Sequence, residues 1–394
     1  MAVNNQKYLD SLLGANASRL SPVWQNPEEY RLQIIYTQID RDAENRPVFT
    51  DHAFHLQPDR YFYPASTVKM PAAFLALEKL NRLGLDKFTP MYTDSLQGIS
   101  DGVTADSSAA DLQPSIAHYI KKIFLVSDND AFNRLYEFIG QEEFNRALWE
   151  KGYPQSQVLH RLSVPLSPEA NRSTNAVWFE KDGKQLCRQP AQLSTLQFPV
   201  RRDFAGKAHY VDKQLIPSPF DFSAKNRMLL ADLHNILKSI IFPESVTSRQ
   251  AFRLTEDDYR FLYRYMSQQP TETSYPAYDS TEFHNNYVKY LLGGADKAVQ
   301  LPPGMRIFNK PGWAYGFLTD VAYVADFDHG VEFLLSATVY VNSNGVIGDN
   351  TYDFESIGRP FLRELGTVIY EAERQRLRKY KPDLERYKIK YDKQ

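Results

Sequence analysis

Hydrophobic and polar positions change period several times along this chain. Leu32-Gln33-Ile34-Ile35-Tyr36-Thr37-Gln38-Ile39 reads as a strand, Asp40 to Pro47 as a polar turn, and Val48-Phe49-Thr50 with Ala53-Phe54 as the returning strand of a hairpin. From 66 to about 150 the spacing becomes helical. Residues 70–80 predict a mostly apolar helix stopped by Gly84. Residues 116–125 and 131–139 predict two more, the second closed by Gly140, and 141–151 a short fourth before Gly152. Regularity falls between roughly 155 and 225, apart from a short hairpin around Lys181-Asp182-Gly183. Helices resume near 224–241 and 256–268. Residues 305–308, 319–324 and 332–341 then predict successive antiparallel strands, the last two joined through Asp326-Phe327-Asp328-His329-Gly330. A closing helix is predicted over about 354–379, with a charged, loose tail beyond Pro382.

Strands at both ends of the chain, with a helical block between, predict an α+β fold. One antiparallel sheet is assembled from both chain ends and flanked by helices, and the block forms an all-helical lobe. The expected division is 25–62 with 300–380 for the sheet lobe and 63–299 for the helical lobe. Catalytic groups belong in the cleft between them.

Composition narrows the class. At 394 residues the chain can bury a sizeable core, and its 43% apolar and 24% charged residues are ordinary for a globular protein. A net charge of −2, with both signs interspersed, carries no footprint of a nucleic-acid binder. A single cysteine, Cys187, excludes an internal disulfide and a cysteine-based zinc site, and the eight histidines show no ligand spacing, so neither metal nor cofactor is expected. No apolar run reaches the length that spans a bilayer. The polar opening Met1-Ala2-Val3-Asn4-Asn5-Gln6 does not read as a signal peptide, which leaves open a cytoplasmic protein or a leader already removed.

Three short motifs carry candidate chemistry. Ser66-Thr67-Val68-Lys69 puts a hydroxyl and an amine on one face of a helix start, where a desolvated lysine can activate a serine and free N–H groups can hold an oxyanion. Such a tetrad arises about once by chance in a chain of this length, so its weight comes from its company. Ser127-Asp128-Asn129 follows an apolar run and precedes a helix. Its serine can relay a proton and its asparagine can hold a substrate carbonyl, although the triplet also suits a plain helix N-cap. Lys310-Pro311-Gly312, continued by Trp313-Ala314-Tyr315-Gly316, offers positive charge for a substrate carboxylate, a glycine that permits close approach, and an edge N–H. Singly, this stretch would read as a turn.

In this order the three motifs resemble the S-x-x-K, S-D-N and K-T-G signature of penicillin-recognising serine enzymes, and class A β-lactamases most closely. The resemblance extends to Leu125-Val126-Ser127-Asp128-Asn129-Asp130-Ala131-Phe132-Asn133-Arg134-Leu135 and to 310–323. It implies that Ser66 is the acylated nucleophile, Lys69 its base or relay, and Ser127 the proton shuttle to the leaving nitrogen. Asn129 would orient Lys69 and the substrate amide, Lys310 would raise the local potential, and the Ser66 and Trp313 amides would form the oxyanion hole beside Gly312. The implied ligand is a small β-lactam or a peptidoglycan-like amide, and the implied location is periplasmic or lipid-anchored outside the cytoplasm. Oligomeric state is left open.

The pattern also breaks. Pro311 stands where the family carries threonine or serine, at a position proline can hold only on an edge whose nitrogen faces open space. Ser167-Pro168-Glu169-Ala170-Asn171 is the counterpart of the family's Glu-Pro-Glu-x-Asn loop, with Ser167 in place of the glutamate that activates the hydrolytic water. Glu169 either takes over after a local shift, as a tentative catalytic base, or forms a loop salt bridge with Arg161 or Arg172. Ser127 to Lys310 is longer than the family interval, so 172–300 holds an insertion. The readings left open are a slow lactamase, a D-Ala-D-Ala-type peptidase or esterase, and a non-hydrolytic peptidoglycan-fragment binder.

Overall fold

In the computed structural model, which describes residues 6–393, the main sheet takes strands from both ends of the chain. Its order is Met305–Asn309, Phe317–Asp326, Val331–Tyr340, Gln33–Arg41 and Pro47–Phe54, with Gly312–Ala314 pairing the start of the second. Neighbouring strands run antiparallel, with Ile35 opposite Ser336 and Asn309 opposite Ala322. The two middle strands, Phe317–Asp326 and Val331–Tyr340, are buried at every residue, which accords with their largely apolar composition: both faces are covered. Ile34 and Tyr36 pack to one side with the Gln6–Gly14 and Arg359–Gln375 helices, while Ile35 and Ile39 face the larger core.

That larger core is built around the Lys69–Leu83 helix, almost wholly buried and ended by Gly84 in the left-handed conformation (φ 67°). Around it lie Ile116–Val126, Asn129–Ile139, Gln141–Glu150, Leu230–Ile241 and Glu256–Ser267. The α+β architecture expected from the strand–helix–strand order is the one observed.

Three expectations need correction. The helix expected from 224 begins at Leu230, because Asn226 and Arg227 are held in a bridge. Asn226 Oδ1 accepts from the Leu159 and His160 amides at 2.7 and 3.2 Å, and Arg227 exchanges backbone hydrogen bonds with Gln157. The closing helix opens with a wide turn at Phe354–Gly358 and ends at Gln375 rather than 379. The tail is not loose. Tyr387 is fully buried against Tyr323, Tyr263 and Phe308 at 5.1–5.7 Å between ring centres, and its hydroxyl donates to Ile241 O at 2.7 Å. Tyr391 lies under the Arg306 guanidinium at 4.2 Å. The charges that made this segment look solvated alternate with the aromatics that anchor it.

The insertion builds several small sheets, among them a pairing of Ser173–Thr174 with Gln192–Leu193. Ala208–Val211 pairs Gln214–Ile216 and runs parallel to Val346–Ile347, and Phe204–Ala205 pairs Phe220–Asp221. Phe222 carries this region onto Tyr63 and Tyr315, at 5.9 and 5.6 Å. The hairpin Val177–Lys181 with Lys184–Gln189 adds to Met91–Thr93 instead.

Truncating Tyr387 to alanine leaves a ring-sized void and removes one of the two donors to the Ile241 carbonyl, the other being Arg386. A loss of about 3–5 kcal/mol is expected in urea unfolding, whereas a detached tail would give no change.

Candidate active site

The chain just before Ser66 is backbone-strained: Ala65 is a non-glycine residue at φ 46°. Ser66 then lies in a single tight turn, Ala65–Val68, that runs into the Lys69–Leu83 helix. This places Lys69 one turn beyond Ser66 and buries it completely, while Ser66 stays half-exposed. The second motif sits at a junction of helices. Ser127 ends Ile116–Val126 in the left-handed conformation (φ 61°, ψ 38°), and Asp128 caps Asn129–Ile139 by accepting from the Ala131 amide at 2.8 Å. The helix-cap reading of this triplet is therefore correct for Asp128. Its neighbours do something else.

Lys69 Nζ faces four acceptors: Ser66 Oγ at 2.8 Å, Ser127 O at 2.5 Å, Ser127 Oγ at 3.2 Å and Asn129 Oδ1 at 2.6 Å. An ammonium has only three protons for four partners, and a neutral amine has two and a lone pair. The lone pair can therefore face one hydroxyl and accept from it. Burial lowers the Lys69 pKa to about 7, opposed by the charge of Asp128. Lys310 approaches from the sheet side, its Nζ 2.8 Å from Ser127 Oγ and 2.8 Å from Pro311 O. Burial first, and then Lys69, holds the Lys310 pKa well below its usual value. Ser66, Lys69, Ser127, Asn129 and Lys310 thus form one hydrogen-bonded cluster from three distant stretches.

Gly312 explains how the strand can come so close. A Cβ there would lie 2.7 Å from Pro64 O and 2.9 Å from the amide nitrogens of Ser66 and Thr67. Trp313 follows with its ring half-exposed, against Phe354 and beneath the Arg359 guanidinium at 5.8 Å. Pro311 is buried rather than open to solvent, and it falls in the break between Met305–Asn309 and Gly312–Ala314. Its missing N–H interrupts the edge where no ladder bond is made.

Glu169 does not join the cluster. Its carboxylate is exposed, and its own amide, the Ser167 hydroxyl and Arg172 hold its pKa below the usual range. Ser167 is occupied as the cap of the short turn Pro168–Arg172. The expected partner Arg161 pairs instead with the buried Glu137 at 3.1 Å. Asn171 is turned into its own loop, accepting from the Arg161 amide at 3.0 Å and donating to Leu166 O and Ser167 O.

Sequence reasoning missed two groups. Ser163 Oγ accepts from Asn129 Nδ2 at 2.8 Å, and no sequence signal pointed to it. Lys289 is buried within Val288-Lys289-Tyr290-Leu291-Leu292, where a lone cation in an apolar run was the available signal.

Residues 29–372 match a sequence model described as the Beta-lactamase enzyme family. The chain belongs to this β-lactamase family. No curated protein matches it. Among solved structures it is similar to PBP-A, at 14% identity and TM-score 0.50, over 92% of this chain and 96% of that one. It is also similar to a β-lactamase from Burkholderia phymatum, at 15% identity and TM-score 0.48, over 91% and 98%. At these identities the likeness to PBP-A establishes a shared fold. The β-lactamase family assignment accords with a site in which the serine, lysine and S-D-N elements meet.

Two measurements test this geometry. Gly312→Val forces the edge away from Ser66, with an expected loss of about 1–3 kcal/mol in chemical unfolding. The buried lysines also tie stability to pH. Unfolded lysines take up protons below about 10.4, whereas folded Lys69 refuses one until about 7. Stability should therefore rise from pH 7 to pH 10, and Lys69→Met should flatten the slope of the denaturant midpoint against pH.

Proposed function

We propose that this chain is a serine acyl-transfer enzyme of class A β-lactamase type, acylated at Ser66 by a β-lactam or a related cell-wall amide and freed slowly. The observation that carries this reading is the 2.8 Å contact between the Lys69 amine and Ser66 Oγ, inside a pocket that depresses the lysine. Neutral Lys69 takes the Ser66 proton as Oγ attacks the carbonyl carbon, and the Ser66 and Trp313 amides receive the developing oxyanion. Ser127 passes its proton to the departing nitrogen and is resupplied across its contacts with the two lysines. Asn129 fixes Lys69 through Oδ1 and offers its amide to the substrate, displacing Ser163. Lys310 supplies the positive potential for a substrate carboxylate.

Release is the weak step. Ser167 has no basic group, Glu169 faces solvent, and Asn171 is committed to its own loop, so this loop poises no carboxylate to activate water at the acyl carbon. That favours persistence of the ester, and it leaves room for a peptidase or esterase whose acyl acceptor is not water. A purely binding protein has no use for a depressed lysine against a serine.

Mass spectrometry after incubation with penicillins and cephalosporins is expected to show a long-lived adduct on Ser66, absent in Ser66→Ala. Labelling of Ser66→Ala would remove the nucleophile assignment, turnover without an adduct would make release efficient, and no adduct would favour the binder. The acylation rate should climb about tenfold per pH unit below the Lys69 titration, level off above about pH 7, and fall again where Lys310 loses the proton that resupplies Ser127.

A further inference from the structure

Behind Lys310 lies a buried polar system that the acyl-transfer steps do not use. Lys289 Nζ is surrounded by three acceptors, Met266 O at 2.8 Å, Ile307 O at 2.8 Å and Asn309 Oδ1 at 2.7 Å. Three acceptors can be satisfied together only by three N–H donors, which favours the ammonium. Burial pulls the Lys289 pKa down to about 7, and the charge of Asp320 opposes that shift. The other end of the Asn309 amide donates to Asp320, at 2.8 and 3.1 Å to its two oxygens. Asp320 also accepts from the amides of Tyr290, Leu291 and Val321 at 2.9–3.1 Å; burial raises its pKa, and these donors with Lys289 oppose that rise. Asn309 therefore bridges the buried Lys289 amine to the buried Asp320 carboxyl group, and it immediately precedes Lys310 in sequence.

We propose that Lys289 is a positioning residue for the acyl-transfer site: by engaging Asp320 through Asn309, it leaves Lys310 without a carboxylate partner, so that Lys310 holds its proton loosely against Ser127. The inference rests on the acyl-transfer reading. Every group near Lys310 fits the arrangement. Lys69 from the nucleophile helix and Lys289 both repel a proton on it, and only Asp320 favours one. Asp128 acts on Lys69, while Arg306 and Glu272 act on Lys289 with opposite signs. The leaving nitrogen takes the Ser127 proton, Ser127 Oγ takes one from Lys310 Nζ, and Lys310 is left as a neutral amine. Lys69, which gained the Ser66 proton, can return it across Ser127 Oγ, since both lysines touch that atom. No proton is created or lost in this circuit.

The test follows individual lysines by 13Cε and 15Nζ NMR in the full chain, with assignments from single substitutions. In the native protein Lys289 should keep its proton to a higher pH than Lys310. In Lys289→Met, Asp320 loses its cation, and the Lys310 titration should move upward by about one pH unit, carrying the alkaline limb of the acylation rate with it. A purely structural lysine would lower Tm and leave that limb in place. Lys310 unmoved in folded Lys289→Met, or native Lys289 deprotonating before Lys310, overturns the proposal. Should Lys289→Met not fold, the native order of titration decides alone. The titrations need no substrate: shifts as expected without any Ser66 adduct would sink the acyl-transfer reading only, and an adduct without the shifts would sink only the role of Lys289.

Discussion

The burial of Lys69 is the constraint on which the rest depends. A lysine enters a protein interior only where its nitrogen finds enough acceptors, and here they arrive from two helices that begin and end at the same place. Ser127 can offer both its carbonyl and its hydroxyl to one amine because its backbone adopts a left-handed turn that few non-glycine residues tolerate. The strain at Ala65 does the corresponding job for Ser66. Both kinks are held by a core of aromatic and aliphatic side chains packed around the nucleophile helix. The chemistry is thus fixed by helix packing rather than by any loop.

The sheet contributes charge. Its edge strand brings Lys310 to the opposite side of Ser127 and, through Gly312, presses backbone against backbone at the serine. Burial is what chiefly loosens the protons of the two lysines around the Ser127 hydroxyl, and for Lys310 the charge of Lys69 adds to it. A carboxylate between them would oppose this loosening. Asp320 is close by, but it is held by backbone amides and by Asn309.

Much of this was legible in the sequence, because period and motif are local signals. The strands read at 32–39, 319–324 and 332–341 and the helix after Ser66 follow from spacing alone, and the three motifs named the members of the cluster. What failed was whatever depends on partners far along the chain. Residues 224–229 look helical until Asn226 is seen to serve the backbone of Leu159 and His160. The tail from Pro382 looks soluble until Tyr387 finds its pocket between Tyr323 and Tyr263. Glu169 kept the right letter at the wrong place, since the short turn at Pro168–Arg172 points its carboxylate outward. Lys289 stood out only as a lone cation in an apolar run, and its meaning lies in carbonyls contributed by another strand and helix.

The two lysines that share Ser127 stand on opposite sides of a long stretch of chain: Ser127 and Lys310 are separated by 183 positions. A ribosome adding about 5–20 residues per second needs on the order of ten to forty seconds to cross that gap. During that interval the nucleophile helix and its neighbours have emerged, yet the edge that sits against Ser66 does not exist. On the acyl-transfer reading proposed above, Ser66 would therefore gain its complete surroundings only after Lys310 and Trp313 have been made.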